Sequence, residues 1–276
     1  MIILITNDDG FGSEGIKLLK KVASNFASEI WVVAPDADRS ASARSLDYIV
    51  KQSIKVNQHS EREFSASGTP ADCVIIALYK IMNKKPDLIL SGVNFGSNIG
   101  DDVCYSGTIG AAMEGAARSI SSIALSQTYN NRNKISWRNT EAFAQKIITQ
   151  LAEIGWPKNT VMSVNFPTTE RIKGIEFAGQ GEYSTKCNVT FVENLDHSFN
   201  LDFHRENTLV VVLKVNSSLE QPEVKPAKTQ QNGGPVVADA MSDKRNTYRG
   251  EDAREAIENK RTSKDLPKDF KGEVVK

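Results

Sequence analysis

The hydrophobic positions of this chain alternate between short apolar runs and longer periodic stretches, and that pattern predicts most of the fold. Ile2–Thr6 is a continuous apolar run closed by Asn7-Asp8-Asp9-Gly10, the mark of a strand covered on both faces. Ile16, Leu18, Leu19, Val22, Ala23 and Phe26 follow at helical spacing, and residues 30–34 form a second buried run ended by Pro35-Asp36. Strand, helix and strand in such close succession make a crossover unit with parallel pairing, which excludes an all-α fold or a sandwich.

The alternation continues downstream. Residues 45–66 mix polar and apolar positions without helical period and are expected as antiparallel strands attached to the parallel sheet. Ser67-Gly68-Thr69-Pro70-Ala71-Asp72 opens a helix expected to run to about Met82, with proline early and an acid in the first turn. Further strands are expected at 87–91, 122–126 and Val161–Phe166, with helices at 108–118 and about 137–154. The parts thus divide into a core at 1–171, an antiparallel β extension at 172–215 and a tail at 216–276. The tail is rich in Pro, Gln, Lys and Glu, with Tyr248 and Phe270 its only aromatics, so it is expected to be charged and flexible, with a candidate charged helix at 249–261.

Composition narrows the function classes. The 276 residues carry 34 basic and 34 acidic side chains, so no global field draws the protein to nucleic acid or an acidic membrane. Any phosphate recognition must then be local. Cys73, Cys104 and Cys187 are an odd, scattered set without C-x-x-C, which fits a reducing compartment, and the cytoplasm is the expected location. No leader-like segment and no apolar stretch long enough to span a bilayer is visible, so a soluble protein is expected.

In a parallel α/β sheet, ligands collect beyond the carboxyl ends of the strands, and four polar clusters fall there: Asn7-Asp8-Asp9-Gly10, residues 36–40, Ser91-Gly92-Val93-Asn94 and Tyr105-Ser106-Gly107-Thr108. Adjacent carboxylates at a buried strand end repel unless neutralised, and a divalent cation with oxygen ligands neutralises them. Asp8 and Asp9 are therefore the first candidate ligands, with Ser40 and Asn94 supplying neutral oxygens. The bland alternative is that either acid only caps the next helix. Ser106, Gly107 and Thr108 stand at a helix start, where hydroxyls and free amides can hold an anion, although such residues also make ordinary caps. Four glycines, Gly92, Gly96, Gly100 and Gly107, in the loop leading there favour close approach of backbone to ligand.

Gly10-Phe11-Gly12-Ser13-Glu14-Gly15 matches a dinucleotide-binding fingerprint, with Asp36 downstream. Asp8, Asp9 and Glu14 would put negative charge where a pyrophosphate should rest, so this match is set aside. His59, His197 and His204 show no ligand spacing and lie outside the four clusters, which leaves a Ser-His-Asp triad without support.

Asn-Asp-Asp-Gly, the segment VVAPDADRSASARSL at 32–46, GTPADCV at 68–74 and SGVNFGSNIGDDVCYSGTIGAAMEG at 91–115 together resemble the SurE family of 5′-nucleotidases, the stationary-phase survival proteins. The resemblance implies an α/β fold with a Rossmann-like, doubly wound, mostly parallel sheet and a β-hairpin extension used in forming a homodimer or homotetramer. It implies hydrolysis of nucleoside monophosphates at the 5′ position, with the 3′ position open. One divalent cation per subunit, Mg or Mn in kind, would sit on Asp8, Asp9, Ser40 and Asn94, with Ser106, Gly107 and Thr108 on the phosphate side and Asp8, Asp9 and Asn94 as catalytic residues. The closing segment usual in that family is not found after about residue 190, and the alternative reading is a nucleotide-binding protein of this fold with impaired catalysis.

Overall fold

The computed structural model describes residues 1–130 and 134–180, and beyond them the backbone of strands at 186–193, 199–206, 210–214 and 271–275. The chain divides into two compact units, with Met1–Arg171 in the first and the chain from Ile172 opening the second.

The first unit is built on a seven-stranded sheet. Its strands are β1 (Ile2–Thr6), β2 (Glu29–Pro35), β3 (Val56–Ser60), β4 (Glu63–Ala66), β5 (Leu88–Phe95), β6 (Ser121–Gln127) and β7 (Val161–Phe166), in the order β3-β4-β2-β1-β5-β6-β7. All neighbours pair in parallel except β3 with β4. β1 lies between β2 and β5, so its carboxyl end opens mid-sheet. Helices α1 (Glu14–Ala23) and α6 (Arg138–Ile154) cover one face, where Ile3, Ile5, Leu19, Leu90, Ile123 and Ile148 pack together. On the other face α3 (Pro70–Ile76) and α5 (Gly107–Ala116) pack with Leu4, Val33 and Ile89. The alternation of Ile3, Leu4 and Ile5 between two cores is why β1 reads as an unbroken apolar run. Each of these side chains is fully buried, a transfer contribution of about 1.5–3 kcal/mol apiece.

The capping chemistry explains where the helices start. Ser13 caps α1 by accepting from the Ile16 amide, and Thr69 with Asp72 forms a reciprocal capping box ahead of Pro70 in α3. Two expectations need correction. Residues 45–66 are not all strand: α2 (Asp47–Lys51) precedes the β3–β4 pair, favoured by an Asp47–Lys51 ion pair one helical turn apart, and β4 joins β2 in parallel. The helix opened by Pro70 is α-helical only to Ile76 and continues as a π-helix over Ala77–Ile81, so it ends near Met82 by a wider coil.

In the second unit, β9 (Lys186–Glu193) and β10 (Phe199–Glu206) form an antiparallel pair. β11 (Val210–Lys214) pairs antiparallel with β8 (Glu176–Phe177) and with β12 (Lys271–Val275). β12 thus falls within the stretch expected to be a flexible tail, and its Val274-Val275 lies opposite Val210-Val211, β-branched residues that suit a ladder. The candidate helix at 249–261 and His197 lie outside the described residues.

Candidate active site

The site is assembled by backbone geometry at the carboxyl edge. Asp8 and Asp9 leave β1 between the ends of β2 and β5, Asp8 only 4 % exposed and Asp9 half-buried. The Arg39 amide donates to the Asp8 carbonyl at 2.7 Å, which draws the loop after β2 over the pair. In that loop Asp38 Oδ1 accepts both the Ser40 amide, at 2.8 Å, and the Ser40 hydroxyl, at 2.6 Å. From the other side the Phe95 amide donates to Asp9 Oδ2 at 3.2 Å, and this fixes the end of β5, with Asn94, next to Asp9. The Asn94 Nδ2 donates to the Gly96 carbonyl at 2.9 Å, which leaves its Oδ1 as the oxygen to offer a ligand. Asn7 is a scaffold residue: its Nδ2 holds the Gly10 carbonyl at 2.9 Å and Ser13 Oγ at 2.8 Å, shaping the turn that carries the acids.

Electrostatics mark the pair as short of positive charge. Burial raises the pKa of Asp8, with hydrogen bonds from Thr108 working against it and the nearby charge of Asp38 adding to it. Burial, then the charge of Asp8, pushes Asp9 from 3.8 up to about 7, against the Phe95 amide. Among the described residues no ion pair reaches Asp8, Asp9 or Asp38. No three His, Cys, Asp or Glu side chains gather as a ligand set among them either, so a cation on the acidic pair would need neutral oxygens to complete its shell. Serine and asparagine are residues of that kind, and an oxygen-only donor set fits a hard divalent ion.

The phosphate side is arranged differently from its expectation. Ser106 caps α5, accepting from the Ile109 amide at 3.1 Å and keeping its own hydroxyl proton to donate. Thr108 turns toward the acid instead: its hydroxyl donates to Asp8 Oδ1 at 2.5 Å, and its amide also favours the Asp8 carboxylate. Part of the positive end of α5 is therefore spent on Asp8. Gly107 is required for this fit, since a Cβ there would lie 2.7 Å from Ser42 Oγ and 2.8 Å from Asp8 Cβ. Ser42 Oγ is buried there without a partner.

One further residue, Asp38, and one further role, that of Thr108, bear on the site and were not singled out from the sequence. Asp38 was visible only as one member of a polar cluster; its role as the partner of Ser40 and a third negative charge emerges from the fold. Thr108 as a brace for Asp8 could not be inferred from spacing, because the two are 100 positions apart. The dinucleotide-like glycines also find an explanation: Gly15 presses α1 onto the backbone of β5, where a Cβ would meet the Val93 carbonyl oxygen at 1.9 Å. Outside this edge, an apolar groove of about 760 Å³ lined by Tyr48, Ile54, Phe64 and Ile76 shares no residue with the acidic cluster.

A mostly parallel sheet with helices on both faces and an acidic pair at its central strand end defines a Rossmann-like α/β protein whose candidate site lies at the carboxyl edge. The family model described as survival protein SurE matches residues 3–186. A protein named 5′-nucleotidase SurE from Wolbachia sp. subsp. Drosophila simulans (strain wRi) is 72% identical over 208 residues, 75% of this chain and 82% of that one. A protein of the same name from Ehrlichia ruminantium (strain Gardel) is 52% identical over 68% of this chain and 75% of its own length. The crystal structure of the SurE protein from Aquifex aeolicus superposes with a TM-score of 0.66 at 34% identity, covering 75% of this chain and 83% of that one. This chain belongs to the SurE family.

Proposed function

We infer that this chain is a metal-dependent 5′-nucleotidase that hydrolyses nucleoside monophosphates to nucleoside and phosphate. The names of its close relatives support the reaction, and one observation carries the site: adjacent carboxylates, one buried and one half-buried, with raised pKa values and no described cationic side chain paired with them. One divalent cation, Mg or Mn in kind, is held by Asp8, Asp9, Ser40 and Asn94. Bound there, it supplies Lewis acidity toward a phosphate oxygen and lowers the pKa of a water.

The chain's own residues do the rest. Thr108 orients Asp8, the Phe95 amide orients Asp9, and Asp38 positions the Ser40 hydroxyl. The Ser106 hydroxyl and the amide of Gly107 receive the phosphate, with Thr108 completing that corner from the Asp8 side. Water is the attacking group, since Asp8 and Asp9 would both be engaged as ligands of the cation. A P–O bond to the water oxygen forms as the ester P–O bond breaks, and a proton lost by the water balances the one gained by the departing nucleoside alkoxide. The working assembly is a homodimer or homotetramer acting in the cytoplasm; the buried free thiol of Cys73 is in keeping with a reducing compartment. A turnover screen of nucleoside 5′- and 3′-monophosphates with Mg²⁺ or Mn²⁺, against an EDTA control, tests the reading. Phosphate release that EDTA does not suppress overturns the metal site.

A further inference from the structure

Two aromatic rings stand beside the acidic pair without serving either core. Phe95 ends β5 and Tyr129 lies two residues beyond β6, and their ring centroids are 4.9 Å apart at a 32° tilt. Both are half-buried, and neither belongs to the hydrophobic clusters on the two faces of the sheet. Phe11, by contrast, packs against a core cluster and stacks on His59 at 4.2 Å, and His59 in turn meets Ser65 at 2.8 Å, so that pair is structural.

The Phe95–Tyr129 pair is tied to the candidate site at two points. The Phe95 amide holds Asp9 Oδ2, and the Asn94 side chain holds the Gly96 carbonyl, while a Cβ on Gly96 would lie 3.4 Å from Tyr129 Cε1. The tyrosine ring thus lies against the backbone at Gly96, next to a candidate ligand. The register supports this placement: Phe95 sits opposite Gln127, and the Gly96 amide donates to the Gln127 carbonyl at 3.0 Å, which fixes the loops after β5 and β6 side by side. Only a ribose separates the phosphate of a nucleotide from its base. Phe95 is one backbone hydrogen bond from Asp9 and Tyr129 packs on Phe95, so an aromatic surface lies beside the candidate site, within reach of a base whose phosphate is held there.

From this juxtaposition, and resting on the nucleotidase reading, we propose that Phe95 and Tyr129 form the platform on which the nucleobase of the substrate stacks, favouring purines, whose π-face is the larger. Stacking on an aromatic side chain is sequence-tolerant but requires a base, so the platform distinguishes nucleotides from other phosphomonoesters.

The test compares kcat/KM for adenosine 5′-monophosphate and for ribose 5-phosphate in the wild type and in Phe95→Leu and Tyr129→Leu, which retain apolar bulk. The expected result is a fall in the nucleotide-to-ribose-phosphate ratio of roughly five- to a hundredfold, carried by KM, with Tyr129→Phe restoring the wild-type ratio. An unchanged ratio, or equal losses on both substrates, overturns the platform while leaving the phosphatase intact. A wild type that cleaves neither substrate overturns the nucleotidase reading and the platform with it, so the two failures are told apart.

Discussion

Ser67-Gly68-Thr69 and Ser106-Gly107-Thr108 are the same tripeptide at the start of two helices that pack on one face of the sheet. In α3 Thr69 is the cap, fixed by Pro70 behind it, and Asp72 Oδ2 accepts from the Thr69 amide at 2.9 Å, the Thr69 hydroxyl at 3.0 Å and the Asp47 amide at 2.9 Å. In α5 the cap is Ser106, so Thr108 is already helical and reaches Asp8 of β1. Each glycine abuts an aspartate: a Cβ would lie 2.7 Å from Asp72 Cβ at Gly68 and 2.8 Å from Asp8 Cβ at Gly107. The first acid has three donors on Oδ2, with Oδ1 buried and unpartnered, and serves the fold through its cap and the Asp47 amide. The second shares a buried corner with Asp9 under the field of Asp38, and its charge calls for a cation.

That contrast can be broken most sharply at Asp8. Asp8→Asn or Asp9→Asn should lower metal-dependent nucleotidase turnover by about a hundredfold or more with an unchanged circular dichroism spectrum, whereas Asp72→Asn should spare turnover of the folded fraction and lower Tm. Retained activity in both Asp8 and Asp9 variants would remove the proposed metal site.

The glycines come next. Gly107→Ala should displace Asp8 and cost about tenfold in kcat, while Gly68→Ala, crowding Asp72 and Ile54, should cost about 1–3 kcal/mol of stability with kcat retained. Steady-state kinetics beside urea denaturation separates the two effects.

A pH experiment sharpens the same distinction. Folding raises the pKa of Asp9 from 3.8 to about 7, so between those values the folded state binds more protons than the unfolded one. Its stabilising contribution in the metal-free protein is present below the unfolded pKa and is lost as pH rises through about 7. Thermal melts in EDTA should therefore show wild type losing stability relative to Asp9→Asn from about pH 4 to about pH 7 and levelling off above that, and added Mn²⁺ should reverse that loss. A difference that does not vary with pH would contradict the burial of this carboxylate. The smallest expected effect is at the α3 cap, where Thr69→Ala should lower stability by about 1 kcal/mol in urea with no change in KM.

Much of this was legible along the chain. The unbroken run at Ile2–Thr6 and the periodic stretch after it gave β1 and α1, and Val161–Phe166 was bounded correctly as β7. Residues 47–51 were misread because one turn of helix bound by a local ion pair has too few positions to show a period, and none of its residues is buried. The π-helix after Ile76 was invisible for a related reason: α and π coils differ in hydrogen-bond partner, and apolar spacing over one turn does not separate them. For the site, Asp8 and Asp9 announced themselves by adjacency, whereas Asp38 and the bracing role of Thr108 depended on contacts across loops.

By itself the sequence determined a parallel α/β scaffold, the edge at which chemistry gathers, and the family, because strand and helix periods and contiguous motifs are local properties of a chain. Only the tertiary structure decided which aspartate each of two identical tripeptides abuts, how far burial and Asp8 raise the pKa of Asp9, and where Phe95 meets Tyr129. Those outcomes depend on distance and dielectric between segments that the chain order keeps far apart, and folding alone sets both.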